Sequence, residues 1–355
     1  GYLGLLFDQA PLLTEEDDLS MPPGFSPYPE VIDKAVAELQ AAISLSETAG
    51  IDFFHTYFPE QPMDGERFAR FCRSYSARFL AQQARTAAEN ETADWAEVAT
   101  LAEQGLQATF APAADGQDWT SYHRFTLANT GEGPFWARVD QRLIAALDPG
   151  QPARYPQVEA EGAPPLDEPQ AQSADARLQS DFRFDANIPF PADRGEWHYS
   201  HYQHRRHEVQ PELMGNGLQG PMPAFTAMDN QLLLAEAYLR TGRKAKAVQL
   251  INGSSRLNRG QLPGVNGNEP ESALLQAIYY ERAIELLNTA PAGLWLDRRR
   301  WAEREFSESV SALGGLQLGS PAQLPVPAAE ARVSDIPVYS FGGVKDPEGI
   351  DPFFY

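Results

Sequence analysis

The sequence predicts a mostly α-helical protein in which pairs of helices are joined by tight turns, with long loops and a few short strands. Two stretches lead to that fold class. Residues 229–251 carry good helix formers on both sides of Thr241 and Gly242, and residues 66–106 carry an aromatic stripe followed by a second helical pattern. Residues 151–194, in contrast, are proline-rich and acidic and show little periodicity. We therefore expect a helical scaffold interrupted by one loop-rich region.

The stretch 229–251 is the clearest predicted helix hairpin. Gly242 is placed to make a tight turn, and the small residues Ala235 and Ala247 fall where two helices must approach closely. Tyr238 lies four residues before Gly242 and Ala247 five residues after it, a spacing that resembles the end of a tetratricopeptide unit. One such tetratricopeptide-like unit predicts a scaffold and says nothing about chemistry.

Four motifs follow the hairpin. They are RLNRGQLP at residues 256–263, YERAIELL at 280–287, LDRRRW at 296–301 and LPVPAAE at 324–330. In this order they resemble the C-terminal signature of the SusD/RagB family of outer-membrane nutrient-binding lipoproteins. The resemblance covers most of the chain and is strongest over residues 224–330. The chain departs from the family pattern at residues 290–293, where APAG stands in place of the usual Glu-Gly.

The resemblance implies a fold, a function and a partner. The fold would be a single SusD-like domain over residues 1–355, with the helical scaffold mainly at 1–147 and 224–310 and a loop-rich ligand-face insertion at about 148–223. The function would be non-catalytic binding of an oligosaccharide or another small nutrient, with no cofactor. The partner would be a SusC-like TonB-dependent transporter, which the protein would cap at the surface of the outer membrane. Because family members are lipoproteins, we expect membrane attachment only through a lipid anchor that lies outside this chain.

Composition disfavours several other partners. The formal net charge is −21, from 28 Lys and Arg against 49 Asp and Glu. Nucleic-acid binding requires a basic surface that neutralises phosphates, so we expect no nucleic-acid partner, and an anionic membrane surface is disfavoured for the same reason. No run of about 18 apolar residues is present, so the sequence predicts no membrane-spanning helix.

Motifs for catalysis are absent from the sequence. It contains no H-E-x-x-H, G-x-S-x-G or P-loop pattern. Glycoside hydrolysis would need two carboxyl groups about 5 to 9 Å apart in a cleft, and nothing in the sequence singles out such a pair. We therefore expect a binding protein and no enzyme.

Four histidines at three-residue intervals, His198, His201, His204 and His207, suggest a metal site at first sight. On a helix, however, positions three residues apart drift by about 60° at each step, and on a strand they fall on alternate faces. The four rings therefore would not converge on one ion, and we expect no metal site.

Aromatic residues outside the helical patterns are the better candidates for ligand contacts. Sugar rings stack their C–H faces on Trp and Tyr while their hydroxyls hydrogen-bond to polar groups. The candidates are Trp119, Tyr122, Trp197, Tyr199 and Tyr202. The alternative is that these side chains only fix the loops in place.

Three further expectations concern architecture. Cys72 falls on an apolar helical stripe and is expected to be a buried small residue. The sequence FWARVDQRLIAAL at residues 135–147 predicts a helix. Arg298, Arg299 and Arg300 could suggest an anion site, but we expect them to pair with surrounding carboxylates and helix ends, since Glu281, Glu285, Asp297 and Glu303 are close in sequence.

A different class of function is also open at this stage. A helical-repeat adaptor would bind a peptide or a protein partner in the concave face of its hairpins. An open concave face would favour the adaptor, whereas a face filled by the chain's own loops would favour nutrient binding.

Overall fold

The computed structural model describes residues 1–14, 17–18, 20, 24–48, 58, 60–61, 63–114, 138–154, 169–186, 199–206, 220–305 and 309–342. Within these residues helices predominate, and the strands are only two or three residues long. The predicted fold class, mostly α with a few short strands, is confirmed.

The first elements form a small ribbon and a long helix. They are α1 (Tyr2–Leu6), β1 (Gln9–Pro11), β2 (Phe25–Pro27) and α2 (Tyr28–Thr48). β1 and β2 pair antiparallel, with Ala10 opposite Ser26. Phe7 also forms a parallel bridge with Leu324, which brings a C-terminal segment of the chain beside these first elements.

Three helices follow: α3 (Gly65–Gln82), α4 (Ala87–Thr92) and α5 (Trp95–Glu103). Each begins at a side-chain cap. Asp64, Thr86 and Asp94 accept hydrogen bonds from the backbone N–H three residues later, which supplies a partner for an otherwise unpaired helix donor. Cys72 is fully buried on the apolar face of α3, as predicted.

Short elements occupy the middle of the chain. They are β3 (Ala113–Ala114), α6 (Gln141–Leu147), α7 (Arg177–Asp181), β4 (Phe182–Phe184), β5 (Tyr202–His204) and β6 (Gly220–Pro221). β3 pairs antiparallel with β6, and β4 pairs antiparallel with β5. Of the helix predicted for residues 135–147, residues 138–140 are not helical and 135–137 lie outside the described residues. The helix is present from Gln141, where the Asp140 side chain caps it by accepting from the Arg142 backbone N–H at 2.8 Å.

The C-terminal elements include the predicted hairpin. They are α8 (Ala227–Arg240), α9 (Lys244–Asn252), α10 (Ser255–Asn258), α11 (Glu271–Glu285), α12 (Gly293–Trp301) and α13 (Ala328–Val333). Gly242 joins α8 to α9 with a φ of +74°, a left-handed conformation that glycine adopts without steric cost. The hairpin prediction is confirmed together with its turn residue.

Helix α8 lies at the centre of the largest hydrophobic core, where it packs against α3, α5, α9 and α11. Ala235 and Ala247 are fully buried in this core. Their small side chains allow the close helix contacts that the sequence predicts.

We expect Ala247→Leu to lower the free energy of unfolding by about 1 to 3 kcal/mol, because the added carbons must enter a filled helix contact. Urea denaturation would measure the loss. Ala245→Leu is the matched control, since Ala245 is exposed on the same helix, and it should change stability by less than about 0.5 kcal/mol. Equal stability of both variants and the wild type would contradict the close approach of α8 and α9.

A chain of buried ion pairs crosses the scaffold around α8. Arg78 of α3 pairs with Asp229; Arg282 of α11 joins Asp229 to Asp297 at 2.8 and 2.7 Å; Arg300 of α12 joins Asp297 to Glu236 at 2.9 Å each. None of the six residues is more than 4% exposed. We call Arg78, Asp229, Arg282, Asp297, Arg300 and Glu236 the α8 charge network. It connects α3, α8, α11 and α12.

The expected pairing of the three consecutive arginines with carboxylates or helix ends is right for Arg300 and Arg299 and wrong for Arg298. Arg300 pairs with Asp297 as predicted, and also with the distant Glu236. Arg298 donates to the carbonyl oxygens of Gly314 and Ala312. Arg299 likewise donates to backbone carbonyls alone. The acceptors of Arg299 include the carbonyls of Leu5 and Gln82, at the ends of α1 and α3. Glu281 and Glu285 pair instead with Arg177, whose side chain is fully buried.

Candidate functional site

The five aromatic residues predicted to contact a ligand fall in two groups. Trp119, Tyr122 and Trp197 lie outside the described residues. Tyr199 and Tyr202 lie within them, on the stretch that leads into and forms β5. The candidate site therefore consists of described residues that flank the two aromatic segments, 115–137 and 187–198.

An ion pair joins the ends of two of these segments. Arg138 is the first described residue after segment 115–137, and Asp185 stands two positions before segment 187–198. Arg138 Nη2 donates to Asp185 Oδ2 at 2.9 Å. The Arg138 side chain is buried while that of Asp185 is 27% exposed, so the pair lies at the border between core and solvent. The segment holding Trp119 and Tyr122 therefore ends beside the start of the segment holding Trp197.

The second segment returns to the same place. Tyr199 is the first described residue after it and forms an antiparallel bridge with Asp140. Ser200 N–H donates to the Val139 carbonyl, and Val139 N–H donates to the Tyr202 carbonyl, each at 2.9 Å. We call Arg138, Val139, Asp140, Asp185 and Tyr199 the loop-anchor region.

The β4–β5 ribbon holds the loop-anchor region from one side. Asp185 N–H donates to the His201 carbonyl at 2.7 Å, and His201 Nδ1 lies 3.2 Å from the Asp185 carbonyl oxygen. The Phe184 and His201 rings pack with centroids 5.5 Å apart. Backbone pairing and ring packing thus fix the position of Asp185.

Helix α6 holds the region from the other side. Arg142 in its first turn donates to Glu305 Oε2 at 2.8 Å and to the Gly315 carbonyl at 3.0 Å. Because Asp140 caps this helix, residues 138–140 are held between α6 and the strand leading to β5. The loop-anchor region is therefore part of the rigid scaffold.

Tyr199 and Tyr202 have different environments. Tyr199 is half-buried. Tyr202 is 6% exposed, its hydroxyl accepts a hydrogen bond from the Ala171 backbone N–H at 2.8 Å, and its ring packs edge-on against Phe184. Burial raises the pKa of the Tyr202 hydroxyl. Stacking on a ligand needs an open ring face, so Tyr202 is a core residue and leaves the predicted binding set.

The two described histidines of the predicted cluster are also core residues. His201 and His204 are buried, and their rings pack against Phe184 and Phe182 respectively, each with centroids 5.5 Å apart. His198 and His207 lie outside the described residues. Over the part of the chain that the structure describes, no group of three or more His, Cys, Asp or Glu side chains is placed to hold a metal ion.

Arg138 and Asp185 were missed by the sequence reasoning. Neither belongs to a motif, and they stand 47 positions apart. The available signal was position, since each lies next to an aromatic-rich segment.

Across the described ranges, no helix is both long and apolar enough to cross a membrane.

One face of α11 is covered by the chain itself. Ala283 and Ile284 pack against residues of α6, α7 and β4, among them Leu143, Ile144 and Leu178. Arg177 adds ion pairs to α11 through Glu281 at 2.7 Å. Elements α6, α7 and β4 therefore cover this face of α11.

Solved structures share this architecture. A SusD-like carbohydrate binding protein from Bacteroides vulgatus matches with a TM-score of 0.54 and 15% identity, over 84% of this chain and 60% of that one. A SusD superfamily protein from Parabacteroides distasonis matches with a TM-score of 0.54 and 14% identity, over 94% and 74%. One from Bacteroides fragilis matches with a TM-score of 0.53 and 14% identity, over 93% and 72%.

The chain has the SusD-like fold. The resemblance found in the four C-terminal motifs is thus confirmed at the level of structure. The chain spans less than two thirds of some SusD-like proteins, namely 60% of the Bacteroides vulgatus structure and 65% of another from Bacteroides fragilis. No protein-family model and no curated protein matches its sequence.

Proposed function

We propose that this SusD-like chain is a non-catalytic nutrient-binding protein whose ligand is an oligosaccharide. The observation that carries the proposal is the gathering of segment ends at the loop-anchor region. Segments 115–137 and 187–198 both rejoin the scaffold there, next to Tyr199. Together they contain Trp119, Tyr122 and Trp197, the aromatic residues suited to stacking on sugar rings.

The surroundings of Tyr199 suit a sugar ligand. The half-buried Tyr199 pairs with Asp140 through the backbone, and the partly exposed Asp185 carboxylate belongs to the same loop-anchor region. A carbohydrate site combines an aromatic face with a few fixed polar groups, and carboxylates accept hydrogen bonds from hydroxyls. We propose that the ligand face is the loop-rich insertion at about residues 148–223 together with the segment that carries Trp119 and Tyr122.

The cellular role in the proposal comes from the SusD/RagB resemblance. The protein would be attached to the surface of the outer membrane by a lipid anchor, and would cap a SusC-like TonB-dependent transporter there. The match to a structure described as a SusD-like carbohydrate binding protein supports the ligand class.

The adaptor alternative is disfavoured by the covered face of α11. A peptide or protein partner would need an open face on the hairpin array, whereas α6, α7 and β4 occupy this one. We therefore retain nutrient binding as the proposed function.

Alanine variants of the two described tyrosines separate binding from packing. Tyr199→Ala is expected to weaken oligosaccharide binding by about 2- to 10-fold, equivalent to about 0.5 to 1.5 kcal/mol for one aromatic contact, with little change in melting temperature. Tyr202→Ala, the control, should lower stability by about 3 to 5 kcal/mol because it empties a core site. Calorimetric titration with an oligosaccharide panel and thermal melts would measure both.

Three outcomes would contradict parts of this proposal. Binding of peptides with no binding of any oligosaccharide would favour the adaptor. Unchanged affinity in Tyr199→Ala and in the alanine variants of Trp119, Tyr122 and Trp197 would remove the aromatic platform. Release of shorter sugars from a bound oligosaccharide would show that the protein is an enzyme.

A further inference from the structure

A cavity of about 460 Å³ lies between the start of α4 and the residues that follow α12. Its lining residues are Arg85, Thr86, Ala87, Ala88, Arg299, Ala302, Glu303, Arg304, Leu316 and Leu318. Three of them are arginines and one is acidic. Positive charges thus outnumber negative ones among the lining residues, although Glu89 and Asp8, which do not line the cavity, also act on Arg85. The whole chain, in contrast, has a net charge of −21.

Arg299 is the unusual residue of this cavity. It is 2% exposed and donates to the carbonyl oxygens of Leu5 and Ala322 at 2.8 Å and of Gln82 at 2.7 Å. Among the described residues no carboxylate accepts a hydrogen bond from it, and its Nε has no hydrogen-bond partner. A buried charge is costly unless an opposite charge compensates it. The equally buried Arg300 has that compensation in Glu236.

Two further guanidinium groups increase the positive charge. Arg85 is 1% exposed, donates to the Gly4 and Phe7 carbonyl oxygens at 2.9 Å, and lies over the Tyr28 ring. Arg304 is half-buried and donates to the Ser320 carbonyl oxygen.

Burial and a neighbouring arginine both disfavour the charged form of Arg299. Burial, followed by the charge of Arg85, lowers the pKa of Arg299 well below its usual value. Burial also lowers the pKa of Arg85, although Tyr28 and Glu89 oppose that shift. An anion in the cavity would stabilise both charged side chains.

We propose that this cavity binds an oxyanion, meaning a carboxylate, sulfate or phosphate group. Guanidinium groups present N–H donors in a planar fork that matches such groups. The apolar side chains of Ala87, Leu316 and Leu318 line the same cavity. Apolar surroundings lower the local dielectric constant and thereby strengthen the interaction between an anion and the arginines. The volume exceeds that of a bare sulfate, so a sugar ring that carries the oxyanion also fits. The inference is separate from neutral-sugar stacking at the loop-anchor region.

The test measures binding by the whole chain with sodium sulfate, sodium phosphate, sodium glucuronate and neutral glucose, at an ionic strength held constant with chloride. Calorimetry and thermal melts are expected to show saturable binding of oxyanions and none of glucose. Binding of sulfate and phosphate identifies a site open to free ions, whereas binding of glucuronate alone identifies an acidic sugar. A response to glucose equal to that of glucuronate would overturn the proposal.

Variants distinguish this site from general stabilisation by sulfate, which strengthens most folded proteins. Arg304→Gln is expected to weaken oxyanion binding about tenfold, because one charge-assisted contact is lost. Ala88→Glu places a carboxylate at the cavity and should abolish the response while the protein stays folded. Ala96→Glu is the matched control, since Ala96 is the exposed second residue of α5 as Ala88 is of α4.

The control should respond to oxyanions as the wild type does. An identical oxyanion response in wild type, Arg304→Gln and Ala88→Glu would overturn the proposal, and so would no response in the wild type. Neither result depends on binding of a neutral oligosaccharide, so this test and that of the proposed function fail independently.

Discussion

Arg300→Met is expected to lower the free energy of unfolding by about 3 to 5 kcal/mol, because it leaves buried carboxylates without their counter-charge. Arg300 is fully buried and donates to both Glu236 oxygens and to Asp297, each at 2.9 Å. The methionine side chain replaces much of the apolar part of the arginine side chain but has no N–H group to donate a hydrogen bond. Urea denaturation with linear extrapolation would measure the loss.

Arg332→Met is the control for loss of one arginine. Arg332 is exposed on α13, and its replacement should change stability by no more than about 0.5 kcal/mol. If the Arg300 and Arg332 variants lose the same free energy of unfolding, the α8 charge network stabilises the protein no more than an exposed arginine does.

Acid is expected to destabilise the protein as the pH falls from about 4.5 to about 2, through protonation of Glu236. Burial alone would raise the pKa of Glu236, but the charges of Arg300 and Arg240 outweigh it and lower the pKa from its usual 4.5 to about 2. A carboxyl group whose pKa is lower in the folded state stabilises that state above its unfolded pKa. This contribution, on the order of 3 kcal/mol, is lost as the pH falls through the folded pKa.

Stability measured by urea denaturation at a series of pH values would show this loss. Glu236→Gln should be less stable at neutral pH and should depend less steeply on pH between about 4.5 and 2. A direct check is the carbon chemical shift of the Glu236 carboxyl group. A midpoint of that shift at or above pH 4.5 would contradict the stabilisation of the Glu236 carboxylate by Arg300.

The helix hairpin and its ends were predictable because their determinants are local. Gly242 makes its turn through its own φ, and Asp64 caps α3 through a hydrogen bond to Arg67, three residues later. Apolar spacing within each helix predicts which face is buried, as the full burial of Ala235 and Ala247 shows. These features need only a few neighbouring residues.

The arginine partners were not predictable in the same way. Closeness in sequence suggested carboxylates for Arg298, but the folded chain brings the backbone carbonyls of Gly314 and Ala312 to it. Helix ends were expected for Arg299, but not that they would belong to Leu5 and Gln82. Which acceptor reaches a guanidinium depends on the packing of whole elements. Sequence spacing carries no information about that packing.

The candidate site was only partly predictable for the same reason. Composition singled out Tyr199 and Tyr202 alike, although they lie three residues apart in different environments. The partner of the Tyr202 hydroxyl is the Ala171 N–H, 31 positions earlier. Only tertiary structure could show that Tyr202 is buried in the core whereas Tyr199 is half-buried.

The distant contacts of α12 also determine how the chain must fold. Arg299 reaches Leu5 across 294 positions, and Arg300 reaches Asn90 across 210. Because loop closure over such distances slows folding, we expect the docking of α12 to follow the formation of single helices. On the ribosome, α3 emerges with Arg78 long before its partner Asp229 is synthesised. Until Asp229 is available, 151 positions later, burial of the Arg78 guanidinium would leave a charge without its partner, so we expect this part of α3 to stay hydrated until α8 docks.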